Sequence, residues 1–159
     1  MKNRSFRDEC TLAFCRLGVA GLAPKAPGTW GTAVGCLLAP FLFFPLPFIW
    51  RCIVLVAIFV AGGIAASRAE KILGQKDPGQ VVIDELAGVW LVFLPYAKAT
   101  FWLILFGFIF FRIFDIFKPW PIKASENWLP DGFGVMIDDI VAGLWALLCV
   151  QVLFWIGIL

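Results

Sequence analysis

The chain contains no histidine among its 159 residues. It therefore lacks the residue needed for a serine–histidine triad, a histidine-ligated zinc site or a histidine nucleophile. Its five cysteines are odd in number and lack metal-site spacing, so we interpret them as structural thiols. Cys10 and Arg16 match the spacing of cysteine-dependent phosphatases, but the residues between them favour a helix over a phosphate-binding loop.

Charged residues are also scarce. They make up 15% of the chain, whereas 62% of its residues are hydrophobic and the mean hydropathy is +0.92. A typical soluble domain has about 25% charged residues, so this composition predicts an integral membrane protein. The length leaves room for a single domain, residues 1–159. The net charge of +2 is too small and dispersed to favour a nucleic-acid partner.

Long apolar runs dominate the sequence, and we predict an all-α, polytopic membrane protein with about five apolar segments. The first run is the weakest, because three prolines interrupt it. Residues 1–25 are predicted to be cytosolic or interfacial, with an amphipathic helix over about residues 5–22. Residues 26–159 would form the membrane core. The runs are residues 31–50, 52–66, 81–97, 99–117 and 133–159.

The distribution of lysine and arginine predicts the orientation. With five spans and a cytoplasmic N-terminus, eleven of the thirteen basic residues, Lys2 and Arg4 among them, fall on the cytoplasmic side. Arg51 and Lys98 would lie outside. Cytoplasmic loops of membrane proteins carry an excess of such residues, so this orientation is favoured.

Acidic residues within the apolar runs are the strongest sign of function. An ionised carboxylate facing hydrocarbon costs at least about 2.5–3.5 kcal/mol, so such groups mark functional sites unless they form structural ion pairs. Each lies within about 5–8 Å of the predicted cytoplasmic end of its run. We therefore expect them to converge in one layer. They are Asp84, Glu85, Asp115, Asp138 and Asp139.

An internal repeat supports this grouping. Residues 77–85 align without gaps on residues 131–139, and each segment ends in an acidic pair followed by a glycine, Gly88 or Gly143. One interpretation is that two helices present acidic pairs to a shared centre. The other is that two independent helices begin with similar residues.

Clustered carboxylates without nitrogen or sulfur partners are typical ligands of Mg²⁺. Nearby cations would bind a substrate anion, and this combination is typical of phosphoryl transfer. The segment Pro27–Thr32 contains glycines and hydroxyls that suit an anion site, although an ordinary helix start is as good an interpretation. The candidate cations are Arg16, Lys25, Arg112, Lys118 and Lys123.

Four motifs in order resemble the phosphatidylglycerophosphatase A family. They are APGTWGT (26–32), VVIDELAG (81–88), FRIFDIFKPWPI (111–122) and GFGVMIDDIVAG (132–143). The resemblance implies an all-helical, Mg²⁺-dependent enzyme of the bacterial inner membrane. Such an enzyme removes the terminal phosphate of phosphatidylglycerophosphate and leaves phosphatidylglycerol. The acidic motif positions carry over onto Asp84, Glu85, Asp115, Asp138 and Asp139, and the basic position onto Lys118.

We therefore expect a site on the cytosolic face in which the five acids bind Mg²⁺. Asp84, Asp115, Asp138 and Lys118 would be catalytic. Attack on phosphorus would come from water with one Asp as general base, or from an Asp carboxylate. The alternatives are a CDP-alcohol phosphotransferase, whose spaced acidic signature the chain does not match, and a non-enzymatic cation channel or carrier. The predicted phosphate-binding residues are Arg112, Lys118, Arg16, Lys25 and Thr29.

Overall fold

A computed structural model describes residues 5–158, and this part of the chain contains seven α-helices, one 3₁₀ turn at Ala20–Leu22 and no β-strand. The predicted all-α class is confirmed. The predicted positions of Lys2 and Arg4 fall outside the described residues. The helices are α1 (Phe6–Cys15), α2 (Pro27–Leu42), α3 (Phe48–Leu73), α4 (Ile83–Phe93), α5 (Phe101–Phe117), α6 (Ile122–Ser125) and α7 (Gly132–Trp155).

Helix α4 lies at the centre of the bundle. Every residue of α4 except Leu91 is buried, and the helix packs against α2, α3, α5 and α7. A helix surrounded on all sides has no need of a polar face, and a continuous apolar sequence is typical of one. Burial of α4 among the other helices therefore accounts for its apolar sequence, just as contact with lipid would.

Helices α4 and α7 approach each other closely through two glycines. A Cβ added at Gly143 would lie 2.5 Å from the carbonyl oxygen of Gly88, and one added at Gly88 would lie 2.8 Å from the carbonyl oxygen of Asp139. Real Cβ atoms do not make such contacts, so only glycine permits this crossing. The two glycines that follow the repeated acidic pairs thus join their helices directly.

The structure contains fewer candidate membrane spans than the sequence predicts. Within residues 5–158, only α3 and α7 are both long and apolar enough to cross a membrane. Helices α2, α4 and α5 contain 16, 11 and 17 residues. At 1.5 Å per residue they extend about 16–26 Å, less than the ~30 Å hydrocarbon core. The prediction of about five spanning segments is therefore not confirmed.

Two predicted boundaries also differ. Proline residues at 45 and 47 separate α2 from α3, so α3 begins at Phe48 rather than at residue 52. The N-terminal helix ends at Cys15, because Leu17 and Gly18 both have positive φ values. At the C-terminal end of α1, the Cys15 carbonyl accepts a 2.8 Å hydrogen bond from the Val82 amide, which connects α1 to the start of α4.

Burial raises the pKa of the Cys15 thiol to about 11, so this thiol stays protonated at neutral pH.

Candidate active site

All five acids predicted from the apolar runs line one cavity of about 220 Å³. The first turn of α4 contributes Asp84 and Glu85, the last turn of α5 contributes Asp115, and the second turn of α7 contributes the pair Asp138 and Asp139. The predicted convergence in one layer is confirmed. Both segments of the internal repeat place their acidic pairs at this cavity, as the shared-centre interpretation predicts.

Arg112 neutralises one side of the cavity. Its Nη1 donates to Glu85 Oε2 at 2.5 Å and contacts Asp115 Oδ2 at 2.8 Å. Asp115 lies one turn further along α5, so the helical spacing brings this pair together. All three side chains are at most 13% exposed, which makes the ion pairs much less screened than surface pairs.

Lys118 neutralises the opposite side. Its Nζ donates to Asp138 Oδ2 at 2.5 Å and to Glu126 Oε1 at 2.8 Å. Burial by itself would lower the pKa of Lys118, but the hydrogen bonds to Asp138 and Glu126 raise it above its ordinary value, so the side chain is cationic. Lys118 follows the last residue of α5 with φ of 41°, and Pro119 prevents the helix from continuing.

Two carboxylate oxygens in the cavity wall have no hydrogen-bond partner among the described residues. They are Asp84 Oδ1 and Asp139 Oδ2, and both residues are more than 90% buried. A buried polar atom without a partner costs about 1–3 kcal/mol, more when it is charged. These oxygens are therefore poised for a ligand with positive charge.

The donor set fits a hard divalent cation. One carboxylate oxygen from each of Glu85, Asp115 and Asp139 lies within 4.8 Å of the others. Two oxygens on opposite sides of Mg²⁺ are separated by about 4 Å, so small side-chain movements would bring this set into contact with the ion. All the ligand atoms of this set are oxygens, and oxygen is the ligand atom that Mg²⁺ prefers.

Three of the predicted phosphate-binding residues do not line the cavity. Arg16 donates from Nη2 to Gln80 Oε1 at 2.5 Å, Lys25 is exposed and Thr29 is half-buried. Arg112 and Lys118 do line the cavity, but each already contacts carboxylates. No observation tests the phosphate-binding role of these five residues, and it stays a prediction.

The sequence analysis did not place Asp77 or Glu126 at the site, and it considered Gly28 and Thr32 only as part of the candidate anion segment Pro27–Thr32. Asp77 and Gly28 line the cavity. Glu126 accepts a hydrogen bond from Lys118, which also donates to Asp138. The Thr32 hydroxyl donates a hydrogen bond to Glu85. Asp77 occupies the first position of the repeated segment, and Thr32 closes the first motif. Both signals were present in the sequence, but neither residue lies in the apolar interior of a run.

Comparison with known proteins identifies the family. A family model described as Phosphatidylglycerophosphatase A matches residues 13–154. Phosphatidylglycerophosphatase A of Haemophilus influenzae is 35% identical over 86% of this chain and 84% of its own length. The Escherichia coli protein of the same name is 33% identical over 87% of this chain and 78% of its own length.

A third relative has a different name. A protein of Bacteroides thetaiotaomicron described as "Putative phosphatidylinositol-3-phosphatase" is 38% identical over 86% of this chain and 89% of its own length. No solved structure matches the chain. The family match covers all six acids of the cavity together with Arg112 and Lys118. The chain therefore belongs to the phosphatidylglycerophosphatase A family and is a phosphatase that acts on phosphoric monoesters.

Proposed function

We propose that this phosphatase is Mg²⁺-dependent and hydrolyses the terminal phosphomonoester of phosphatidylglycerophosphate, giving phosphatidylglycerol and inorganic phosphate. The observation that carries the proposal is the cavity that combines six acids, two of them with unpartnered oxygens, with two cations. The lipid itself is inferred from the names of the Haemophilus and Escherichia relatives.

When bound among the acids, Mg²⁺ supplies positive charge that stabilises the phosphoryl group in the transition state. Arg112 and Lys118 keep the carboxylates in place and add charge at the edges of the cavity. A water oxygen attacks phosphorus and the bond from phosphorus to the glycerol oxygen breaks. The glycerol oxygen takes a proton from bulk water, and the Asp that deprotonated the attacking water returns its proton to bulk water. One Asp accepts the proton of the water; attack by an Asp carboxylate, followed by hydrolysis of the acyl phosphate, is the second route.

The direct test is phosphate release by the purified full chain in detergent micelles. We expect turnover of phosphatidylglycerophosphate with Mg²⁺, loss of turnover on chelation and recovery when Mg²⁺ is restored. Phosphatidylinositol 3-phosphate serves as the competing substrate, because the Bacteroides relative carries that description. Faster turnover of the inositol lipid would replace the proposed substrate. Full activity in excess chelator would contradict the Mg²⁺ requirement.

We also propose that the protein is a multi-pass protein of the bacterial inner membrane with its active site on the cytosolic face. The support is the apolar character of α3 and α7 and the asymmetry of basic residues, which was counted for a topology in which α2, α4 and α5 also cross the membrane. In a cysteine-free background, a cysteine at position 98 should react with an impermeant reagent in cells with a permeable outer membrane. Cysteines at 76 and 123 should react only after the inner membrane is permeabilised. Labelling of 76 or 123 before that step would contradict the cytosolic site.

A further inference from the structure

The motif APGTWGT contacts the carboxylate cluster in a way that its interpretation as an anion-binding loop does not include. Its last residue, Thr32, is completely buried, in the second turn of α2. Its hydroxyl lies 2.8 Å from Glu85 Oε2, on the neighbouring helix α4. The motif therefore contacts the carboxylate cluster through a side chain that does not itself line the cavity.

Both oxygens of Glu85 are held from the side of α2. Oε2 accepts hydrogen bonds from Thr32 and Arg112. Oε1 lies so close to Gly28 that a Cβ at that position would overlap it. Gly28 and Thr32 are four residues apart, so they lie on the same face of α2. This face forms a cradle that leaves the Glu85 carboxylate little freedom to rotate.

The orientation held by the cradle places Glu85 in a group of three acids that could hold a metal ion. In this orientation, one oxygen of Glu85 lies within 4.8 Å of oxygens from Asp115 and Asp139. A carboxylate that turned away would leave only two of the three donors in place. Groups that hydrogen-bond a metal ligand and fix its orientation commonly change metal affinity by about 10–100-fold when they are removed.

We infer that Thr32 is a positioning residue that holds Glu85 in the orientation needed to bind a divalent cation. The inference rests on the proposed Mg²⁺ site. A purely structural role is the competing explanation, because the Thr32 hydroxyl also lies 3.0 Å from the Gly28 carbonyl oxygen. One hydroxyl proton serves only one of these acceptors at a time. The shorter, charge-assisted hydrogen bond to Glu85 is the stronger of the two.

The test measures binding of Mn²⁺ alone to the purified full chain, by electron paramagnetic resonance in detergent and without substrate. Thr32→Val keeps the size and branching of the side chain but removes the hydroxyl. We expect it to weaken Mn²⁺ binding by about tenfold. Thr32→Ser restores the hydroxyl and should bind within about twofold of the wild type. Turnover of Thr32→Val should recover substantially at saturating Mg²⁺, since the residue acts on ligand geometry.

Thr11→Val is the matched control. The Thr11 hydroxyl donates at 2.9 Å to the Arg7 carbonyl, four residues earlier, and Thr11 does not line the cavity. This substitution therefore removes the same helical hydrogen bond without touching the cavity, and Mn²⁺ affinity should not change. Thermal unfolding without metal measures the structural cost of each variant. If Thr32→Val does not fold, Thr32→Ala gives the same comparison with a smaller side chain.

The outcomes separate the two proposals. Wild-type Mn²⁺ affinity in a folded Thr32→Val variant would overturn the role of Thr32 and leave the metal site intact. The same holds if Thr32→Ser is as impaired as Thr32→Val, because the hydroxyl would not be the cause. Failure of the wild-type protein to bind Mn²⁺ or Mg²⁺ would overturn this inference together with the proposed metal dependence.

Discussion

An arginine from a neighbouring helix lies at each end of α4, Arg112 largely buried and Arg51 buried, and the two have different partners. At the N-terminal end, Arg112 contacts the carboxylates of Glu85 and Asp115. At the C-terminal end, Arg51 is only 6% exposed and donates to backbone carbonyls, including those of Phe44 and Tyr96. The guanidinium of Arg51 also lies 5.5 Å from the centre of the Phe44 ring.

This difference separates a structural cation from one at a reactive site. Carbonyl oxygens are neutral, and Arg51 satisfies those left without partners where α2 and α4 end. Carboxylates carry charge, and Arg112 with Lys118 provides two cations for the six acids that line the cavity, Asp77 among them. The excess of negative charge at one end is what favours a metal ion there. The C-terminal end of α4 has no such excess of negative charge to attract a metal ion.

The largest effect is expected from neutralising single acids of the cavity. Asp84→Asn, Asp115→Asn and Asp138→Asn keep the size of the side chain but remove its charge. Each should lower turnover by about 10³-fold or more, equivalent to about 4 kcal/mol of transition-state stabilisation. The variants should still insert and purify, because an amide costs less than a carboxylate in apolar surroundings. Phosphate release at several Mg²⁺ concentrations is the measurement.

A raised Mg²⁺ requirement in one of these variants would identify a ligand that water can replace. Near-normal rates in all three at low Mg²⁺ would mean that the acids form structural ion pairs. In that case Arg112, like Arg51, would be a structural cation.

Replacing Arg112 should affect activity and stability together, in a way that depends on metal. Arg112→Gln leaves Glu85 and Asp115 without their cation, which in buried ion pairs costs about 3–5 kcal/mol. Added Mg²⁺ should recover part of the stability because it supplies positive charge to the same acids. Thermal unfolding with and without Mg²⁺ measures this. An equal loss in both conditions would contradict the electrostatic role.

Replacing Arg51 should lower stability alone. Arg51→Gln leaves buried carbonyl oxygens without donors, at about 1–3 kcal/mol for each group that no other donor satisfies. We expect a lower unfolding temperature that Mg²⁺ does not specifically correct, and normal turnover per folded molecule. A selective loss of turnover with normal unfolding would assign a functional role to this end of the molecule.

The smallest effect is expected from the thiols. Replacement of all five cysteines by Ser or Ala should leave appreciable turnover. Two observations support this expectation. Cys15 is buried and its thiol has a raised pKa, and Cys10 lies within α1 rather than in a phosphate-binding loop. Assays of the cysteine-free protein and of Cys10→Ser measure this. A specific loss in folded Cys10→Ser would restore the cysteine-phosphatase interpretation.

The sequence predicted the helical class and the convergence of the acids, because both follow from local patterns. Charged residues in apolar runs are visible at once, and proline and glycine residues mark where helices begin. The number of spans was not predictable, since a central helix such as α4 and a membrane-spanning helix have similar composition. Partners across helices were also missed. Nothing in the local sequence indicates that Thr32 meets Glu85, or that Arg16 turns towards Gln80.

The crossing of α4 and α7 at Gly88 and Gly143 has a mechanical consequence. The acidic pairs lie only three to five residues from this contact, so the backbone separation there sets the distance between Glu85 and Asp139. A methyl group at the crossing would push the helices apart and move the acids without touching the cavity. Errors of about 1 Å in catalytic geometry can reduce rates by about 10²-fold. The spacing of the reactive groups is therefore set at the point where the backbones of α4 and α7 are in direct contact.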